Sequence, residues 1–135
     1  MHYQVLPALT PFNRAWFTSG TLAVQHCPSC DLLQHPPEEL CHRCSRFDLG
    51  TRVLAPTGRV HSFTVVHHAA SPHLSEEVPY TVVLVGLDDA PDVRVIGDLV
   101  SDDPGEVHIG LPVEAFWTDH EIDGEVIRLP HWRPA

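Results

Sequence analysis

Apolar and polar positions alternate with period two over much of the chain after residue 58. In Arg59–His67, Val60, Ser62, Thr64 and Val66 fall on one face, and His61, Phe63, Val65 and His67 on the other. Tyr80–Leu87 is β-rich and apolar on both faces, which predicts a central strand. Val93–Val100, Leu111–Trp117 and Gly124–Leu129 complete a set of five predicted strands. Turn signals separate them: Ser71-Pro72, Asp88-Asp89-Ala90-Pro91, Asp102-Asp103-Pro104-Gly105 and Asp123-Gly124. Five strands with short links predict a small antiparallel barrel. Its first strand begins at Thr51 and passes Pro56 and Gly58, where a bend is expected. A long, bent first strand in a five-stranded barrel fits an OB-fold. The link Ser101–Gly110 is too short for more than a turn or two, so the barrel helix of many such folds is expected to be absent or reduced.

Before the barrel, Thr10 is a good N-cap, Pro11 suits the first helical position and Gly20 supplies a stop, which predicts a short N-terminal helix. Phe12 and Trp16 lie four apart on one face, with Phe17 beside them. So much aromatic surface on one short helix must dock, either on the protein's own body or on a partner. After the last strand, Leu129–Ala135 reads as a proline-braced arm whose Trp132 faces the same two alternatives, as does the Phe116-Trp117 pair.

The 135 residues are about one domain's worth. Eight basic residues against eighteen acidic ones give a formal charge of −10, and all eight are arginine. The absence of lysine removes Schiff-base chemistry and the P-loop lysine. Residues 1–59 hold five arginines and four acids (net +1), whereas residues 60–135 hold three arginines and fourteen acids (net −11). That balance opposes the phosphate neutralisation on which nucleic-acid binding depends. Met1–Pro11 lacks the basic-then-apolar pattern of a signal peptide, and the longest apolar run, Val82–Leu87, is six residues where a bilayer span needs ~20. The chain is therefore expected to be soluble and cytoplasmic, in a reducing compartment where cysteines serve metals more often than disulfides.

Cys27 and Cys30 are two residues apart, as are Cys41 and Cys44, with ten residues between the pairs. This C-x2-C-x10-C-x2-C array is the strongest chemical signal in the chain. Each C-x2-C forms a knuckle whose thiolates converge, and four thiolates complete a closed tetrahedral shell around one metal ion. The linker is shorter than the usual ~15–20 residues, yet sufficient for a strand-turn-strand return. His26, His35 and His42 also lie nearby, and a site of three cysteines and one histidine is conceivable if one cysteine is displaced. Spacing does not separate zinc from a rubredoxin-type iron centre. With four protein ligands the ion is structural, and its binding energy becomes folding energy.

With the cysteines committed, no nucleophile motif remains: the chain has no G-x-S-x-G, no H-E-x-x-H and no G-x-G-x-x-G. The best remaining cluster, His67, His68, His73, Glu76 and Glu77, reads as a polar loop rather than an acid/base or second metal site, because adjacent strand residues face opposite ways. No catalytic residue is assigned.

The order of parts resembles a known family. An aromatic helix precedes Gly20-Thr21-Leu22, then come Gln25-His26-Cys27-Pro28-Ser29-Cys30, the Pro36-Pro37 step and Cys41-His42-Arg43-Cys44. Gly58–Val66, Pro79–Leu87, Ile109-Gly110-Leu111-Pro112-Val113 and a terminal Pro130–Pro134 pattern follow. This is similar to the zinc-ribbon OB-fold proteins that partner thiolase-like enzymes. Asp31 and Ser45 depart from the glycine often found after each C-x2-C. The resemblance implies a mainly β chain: a helical segment (1–20), a rubredoxin-like zinc ribbon (21–47) and an OB-fold barrel with a C-terminal arm (48–135). It implies one structural zinc on Cys27, Cys30, Cys41 and Cys44. It also implies a non-catalytic subunit that stabilises a thiolase-like partner and helps shape its acyl-CoA site, in acyl transfer or in retro-aldol cleavage of steroid side chains. Arg43 and Arg46 could meet CoA phosphates there, although plain solvation at the surface is the more common role of such arginines. Two alternatives stay open: a solitary OB-fold for single-stranded nucleic acid, which would need a cationic groove, and an iron-bearing electron carrier.

Overall fold

The computed structural model describes residues 6–70, 72, 75 and 77–135. Helix α1 is short, Arg14–Thr18. Eight strands follow: β1 (Leu22–His26), β2 (Leu33–Gln34), β3 (Gly50–Leu54), β4 (Thr57–Val66), β5 (Tyr80–Leu87), β6 (Ala90–Leu99), β7 (Pro112–Ile122) and β8 (Glu125–Pro134). They build a three-stranded sheet in the order β2-β1-β3 and a closed five-stranded barrel in the order β4-β5-β6-β8-β7. The link between β6 and β7 holds a single 3-10 turn, Pro104–Glu106, so the barrel helix is reduced as expected.

The helix is a smaller element than the capping signals suggest. Thr10 and Asn13 bond reciprocally, Thr10 N–H to Asn13 Oδ1 at 2.7 Å and Asn13 N–H to Thr10 Oγ1 at 3.1 Å. That exchange closes a turn before the helix, which is left with five residues, capped by Ser19, before Gly20 at φ +66. The aromatic face docks on the protein's own body: Trp16 is buried in the main core and Phe17 packs against it.

The long first strand expected from Thr51 is two strands. Gly50–Leu54 pairs antiparallel with β1, and the chain re-enters as β4 after Ala55-Pro56. Proline's missing N–H favours a break at such a point. The expected bend is there, but the segment before it belongs to the ribbon sheet.

Strand β5 shows why a run of apolar residues misleads. Thr81, Val83, Val85 and Leu87 are buried, and the residues between them are half-buried on the outer face. The barrel interior collects Val60, Val83, Val85, Val95, Val113 and Trp132, each at most 2% exposed. Burying such side chains fully contributes about 1.5–3 kcal/mol apiece. The terminal arm is a correction: Pro130–Pro134 is the second half of β8, and Trp132 fills the barrel at 0% exposure. Of the Phe116-Trp117 pair, Trp117 packs against the core, while Phe116 lies on the other face beside His131, with the Arg133 guanidinium 5.1 Å from its ring centre. Among the described residues, no helix is long and apolar enough to cross a membrane.

Candidate functional site

Two tight loops set the cysteine geometry. In the first, Asp31 N–H bonds Cys27 O and Cys27 N–H bonds Leu32 O, both at 2.9 Å. In the second, Ser45 N–H bonds Cys41 O at 2.9 Å and Cys41 N–H bonds Arg46 O at 2.8 Å. Each loop closes through a left-handed residue, Asp31 at φ 63 and Ser45 at φ 64. This explains the departure from glycine: both residues adopt the conformation that glycine takes at no cost. Asp31 also gains partners. Its Oδ1 lies 2.6 Å from His26 Nε2 and accepts from Arg52 Nη2 at 3.1 Å.

The four Sγ atoms all lie within 4.8 Å of one another. Cys27 and Cys44 are 3.6 Å apart at sulfur, Cys30 and Cys41 3.5 Å. Sulfurs at ~2.3 Å from a central zinc stand ~3.8 Å apart on the edges of a tetrahedron, so the set is close to the size of that shell. Electrostatics points the same way. The Cys44 N–H and then the Arg43 N–H hold the Cys41 thiol down to about 6. Cys44 is pushed up to about 11: the Arg46 N–H lowers it, but burial and the thiols of Cys27, Cys41 and Cys30 outweigh that donor. Backbone donors favour a thiolate at Cys41, and Cys30 and Cys44 then resist ionising. Four thiolates so close together need a cation among them, and the residues present fit one zinc ion.

A buried amide network, which the sequence reading did not single out, joins the two loops. Gln34 Nε2 donates to Gln25 Oε1 at 2.7 Å and to Leu40 O at 3.1 Å, while Gln34 Oε1 accepts from His42 N–H at 3.0 Å. Gln25 accepts from Glu38 N–H at 2.9 Å and donates to Glu38 O at 2.7 Å. The segment carrying the second cysteine pair is thus bolted to β1 and β2. The signal was available: glutamines in strand positions that alternate with apolar residues must find partners if buried.

The histidines near the cysteines stand apart from the ligand set. His26 bonds Asp31, His42 is exposed, and His35 stacks on Trp16 with ring centres 4.3 Å apart. Burial pushes His35 down to about 4. Arg43 and Arg46 are exposed on the second loop. Of the loop cluster, His73 and Glu76 lie outside the described residues, and among the described residues the four cysteines are the one group able to hold a metal ion. A second polar chain was not foreseen. His131 Nδ1 meets Asp98 Oδ1 at 2.7 Å, His131 Nε2 meets Thr118 Oγ1 at 2.7 Å, and Thr118 Oγ1 meets His120 Nε2 at 2.8 Å.

Two family models match consecutive stretches. Residues 18–50 match the ChsH2 rubredoxin-like zinc ribbon domain, and residues 51–118 match the ChsH2 C-terminal OB-fold domain. Among curated proteins, a probable enoyl-CoA hydratase alpha subunit of Thermomonospora curvata is 39% identical over 132 residues, 96% of this chain and 39% of that protein. A DUF35 domain-containing scaffold protein of Methanocaldococcus jannaschii is 29% identical over 73% of this chain and 69% of its own length. A 3-oxo-4,17-pregnadiene-20-carboxyl-CoA hydratase alpha subunit of Mycobacterium tuberculosis is 37% identical over 64% of this chain and 27% of its own length. The chain thus spans well under half of either hydratase subunit. Among solved structures, a chain of the Ltp2-ChsH2(DUF35) aldolase superposes with a TM-score of 0.78 at 38% identity, over 96% of this chain and 98% of that one. A cysteine-lined ribbon joined to a five-stranded barrel, matched by both family models in the same order, places this chain in the ChsH2 zinc-ribbon/OB-fold family.

Proposed function

We propose that this chain is a non-catalytic, zinc-bearing subunit of a heteromeric thiolase-like enzyme acting on acyl-CoA substrates. Retro-aldol cleavage in steroid side-chain degradation is the reaction we favour. The observation that carries the reading is the end-to-end likeness to a chain of the Ltp2-ChsH2(DUF35) aldolase, 38% identical over 96% of this chain. Cys27, Cys30, Cys41 and Cys44 ligate one zinc ion, which rigidifies the ribbon. The barrel supplies contact surface for the partner, and acyl-CoA lies at the shared interface. The residue inventory supports this: the sequence has no lysine and no nucleophile motif, and its four cysteines are spent on metal.

Co-expression with a thiolase-like protein tests the proposal. The expected result is co-elution as a stable hetero-oligomer. Separate elution of both chains, with the partner folded and fully active alone, would overturn it.

A further inference from the structure

The outer wall of the barrel carries an arrangement that the subunit reading does not use. Arg59 on β4 pairs with Gly86 on β5, and Gly86 pairs with Arg94 on β6. Residues directly abreast on neighbouring strands share a sheet face. Gly58 and Val60 flank Arg59 and are buried, as are Val93 and Val95 beside Arg94, so both arginines point outward. Strand spacing sets their α carbons about 10 Å apart, a gap two guanidinium groups can close from either side. Between them the floor is bare: the nearest atom to a Cβ built on Gly86 would be Pro91 O, at 3.4 Å. The result is a hollow of about 250 Å³ lined by Arg59, His61, Gly86, Asp88, Pro91 and Arg94.

Four of the eight arginines lack a carboxylate partner among the described residues: Arg43 and Arg46 sit exposed on the second cysteine loop, whereas Arg59 and Arg94 stand on either side of Gly86. Arg14, Arg52, Arg128 and Arg133 each hold a carboxylate, on Glu125, Asp31, Asp119 and Glu114. Arg59 and Arg94 hold none among the described residues, although residues 60–135 carry fourteen acids. Arg59 Nη1 instead donates to Gly110 O at 3.2 Å, on the β7 side of β4, and its other N–H groups have no partner among the described residues and can turn to the hollow. Asp88 on the rim opposes a weak anion. The hollow therefore favours a ligand with more than one negative charge and several acceptor oxygens. Two planar guanidinium forks fit a phosphoryl group best.

We propose that the Arg59–Gly86–Arg94 hollow binds a phosphoryl group, free or esterified. This site is distinct from the cysteine cluster and stands or falls independently of the subunit reading.

Titration calorimetry of the zinc-loaded full chain, with pyrophosphate as probe, tests it. The expected result is saturable one-to-one binding. Arg94→Gln or Arg59→Gln should weaken it about tenfold or more, as loss of a charge-assisted contact does, and Asp88→Asn should tighten it. Gly86→Val fills the floor and should abolish binding with the circular dichroism spectrum unchanged, which keeps the test valid if Arg59→Gln disturbs the Gly110 contact. Comparing inorganic phosphate with adenosine monophosphate identifies the source: tighter binding of the ester points to a nucleotide-type ligand, and tighter binding of phosphate to the free anion. Absence of saturable heat, equal affinity for citrate, or unchanged affinity in Arg94→Gln would overturn the proposal.

Discussion

Gly97 gives up its side chain to Trp132. A Cβ on Gly97 would stand 2.9 Å from Trp132 Cδ1 and 3.1 Å from its Nε1. The indole is fully buried in the barrel, so it has no room to retreat. Its Nε1 is also buried without a hydrogen-bond partner among the described residues, a cost that the packing of this ring must offset. Gly97→Ala therefore overpacks the barrel and is expected to destabilise the protein by about 1–3 kcal/mol in urea unfolding of the zinc-loaded chain. An unchanged midpoint would mean that the ring is not fixed where the structure has it.

Gln34 is the amide whose loss should loosen the ribbon without touching a cysteine. Its three bonds tie Gln25, Leu40 and His42 together. Gln34→Ala leaves buried donors and acceptors unmet and is expected to cost about 2–3 kcal/mol. Zinc release to a chromogenic chelator should accelerate, by roughly tenfold if half of that loss falls on the bound state. Release at the parent rate would show that the network does not position the second cysteine pair.

The two left-handed residues should respond differently to glycine. Ser45 gains nothing visible from its side chain, so Ser45→Gly is expected to stabilise the ribbon by about 0.5–1 kcal/mol. Asp31→Gly relieves the same strain but loses the contacts with His26 and Arg52, which also hold its carboxyl below the usual range. Because Asp31 is largely exposed, those contacts are modest, and the substitution should fall near zero. Thermal melts of both variants check the contrast.

Stability should fall on mild acidification, and His35 should account for part of the slope. Burial lowers its folded pKa to about 4. Between roughly pH 6.5 and 4 the unfolded chain takes up a proton that the folded chain refuses, so stability drops as pH drops, by at most about 1.4 kcal/mol per unit. Above pH 6.5 both states are neutral and His35 contributes no slope. Denaturant unfolding at pH 5.0 to 6.5 avoids the carboxylate range, where Asp31 enters. Over that window His35→Gln should show a shallower dependence than the parent, and an identical slope would contradict the burial argument.

The parts of this molecule differ in how openly the sequence states them. The cysteine spacing is a local signal: two knuckles need only two residues between thiols, so the metal-type cluster could be read before any fold was known. Alternation in Arg59–His67 marked a barrel strand for the same reason, since period two is local. Trp132 was ambiguous because its burial depends on β8 reaching β6, a pairing of Leu99 with Trp132 that no local pattern encodes. The break at Ala55-Pro56 was legible as a bend, yet the assignment of Gly50–Leu54 to the ribbon depended on β1, far back in the chain. The Asp98–His131–Thr118 chain and the Arg59–Gly86–Arg94 hollow are products of register across three strands each. Register is set by the whole barrel, which is why neither was visible in the sequence.

In the subunit role proposed above, this chain serves catalysis without performing it. Turnover of a steroid side-chain acyl-CoA by the thiolase-like partner alone, by this chain alone and by the two together tests that most directly. The expected result is activity in the mixture, none from this chain alone, and loss of the mixture's activity when Cys41→Ser removes one thiol. Turnover by the isolated chain, or full activity of the partner without it, would contradict the claim.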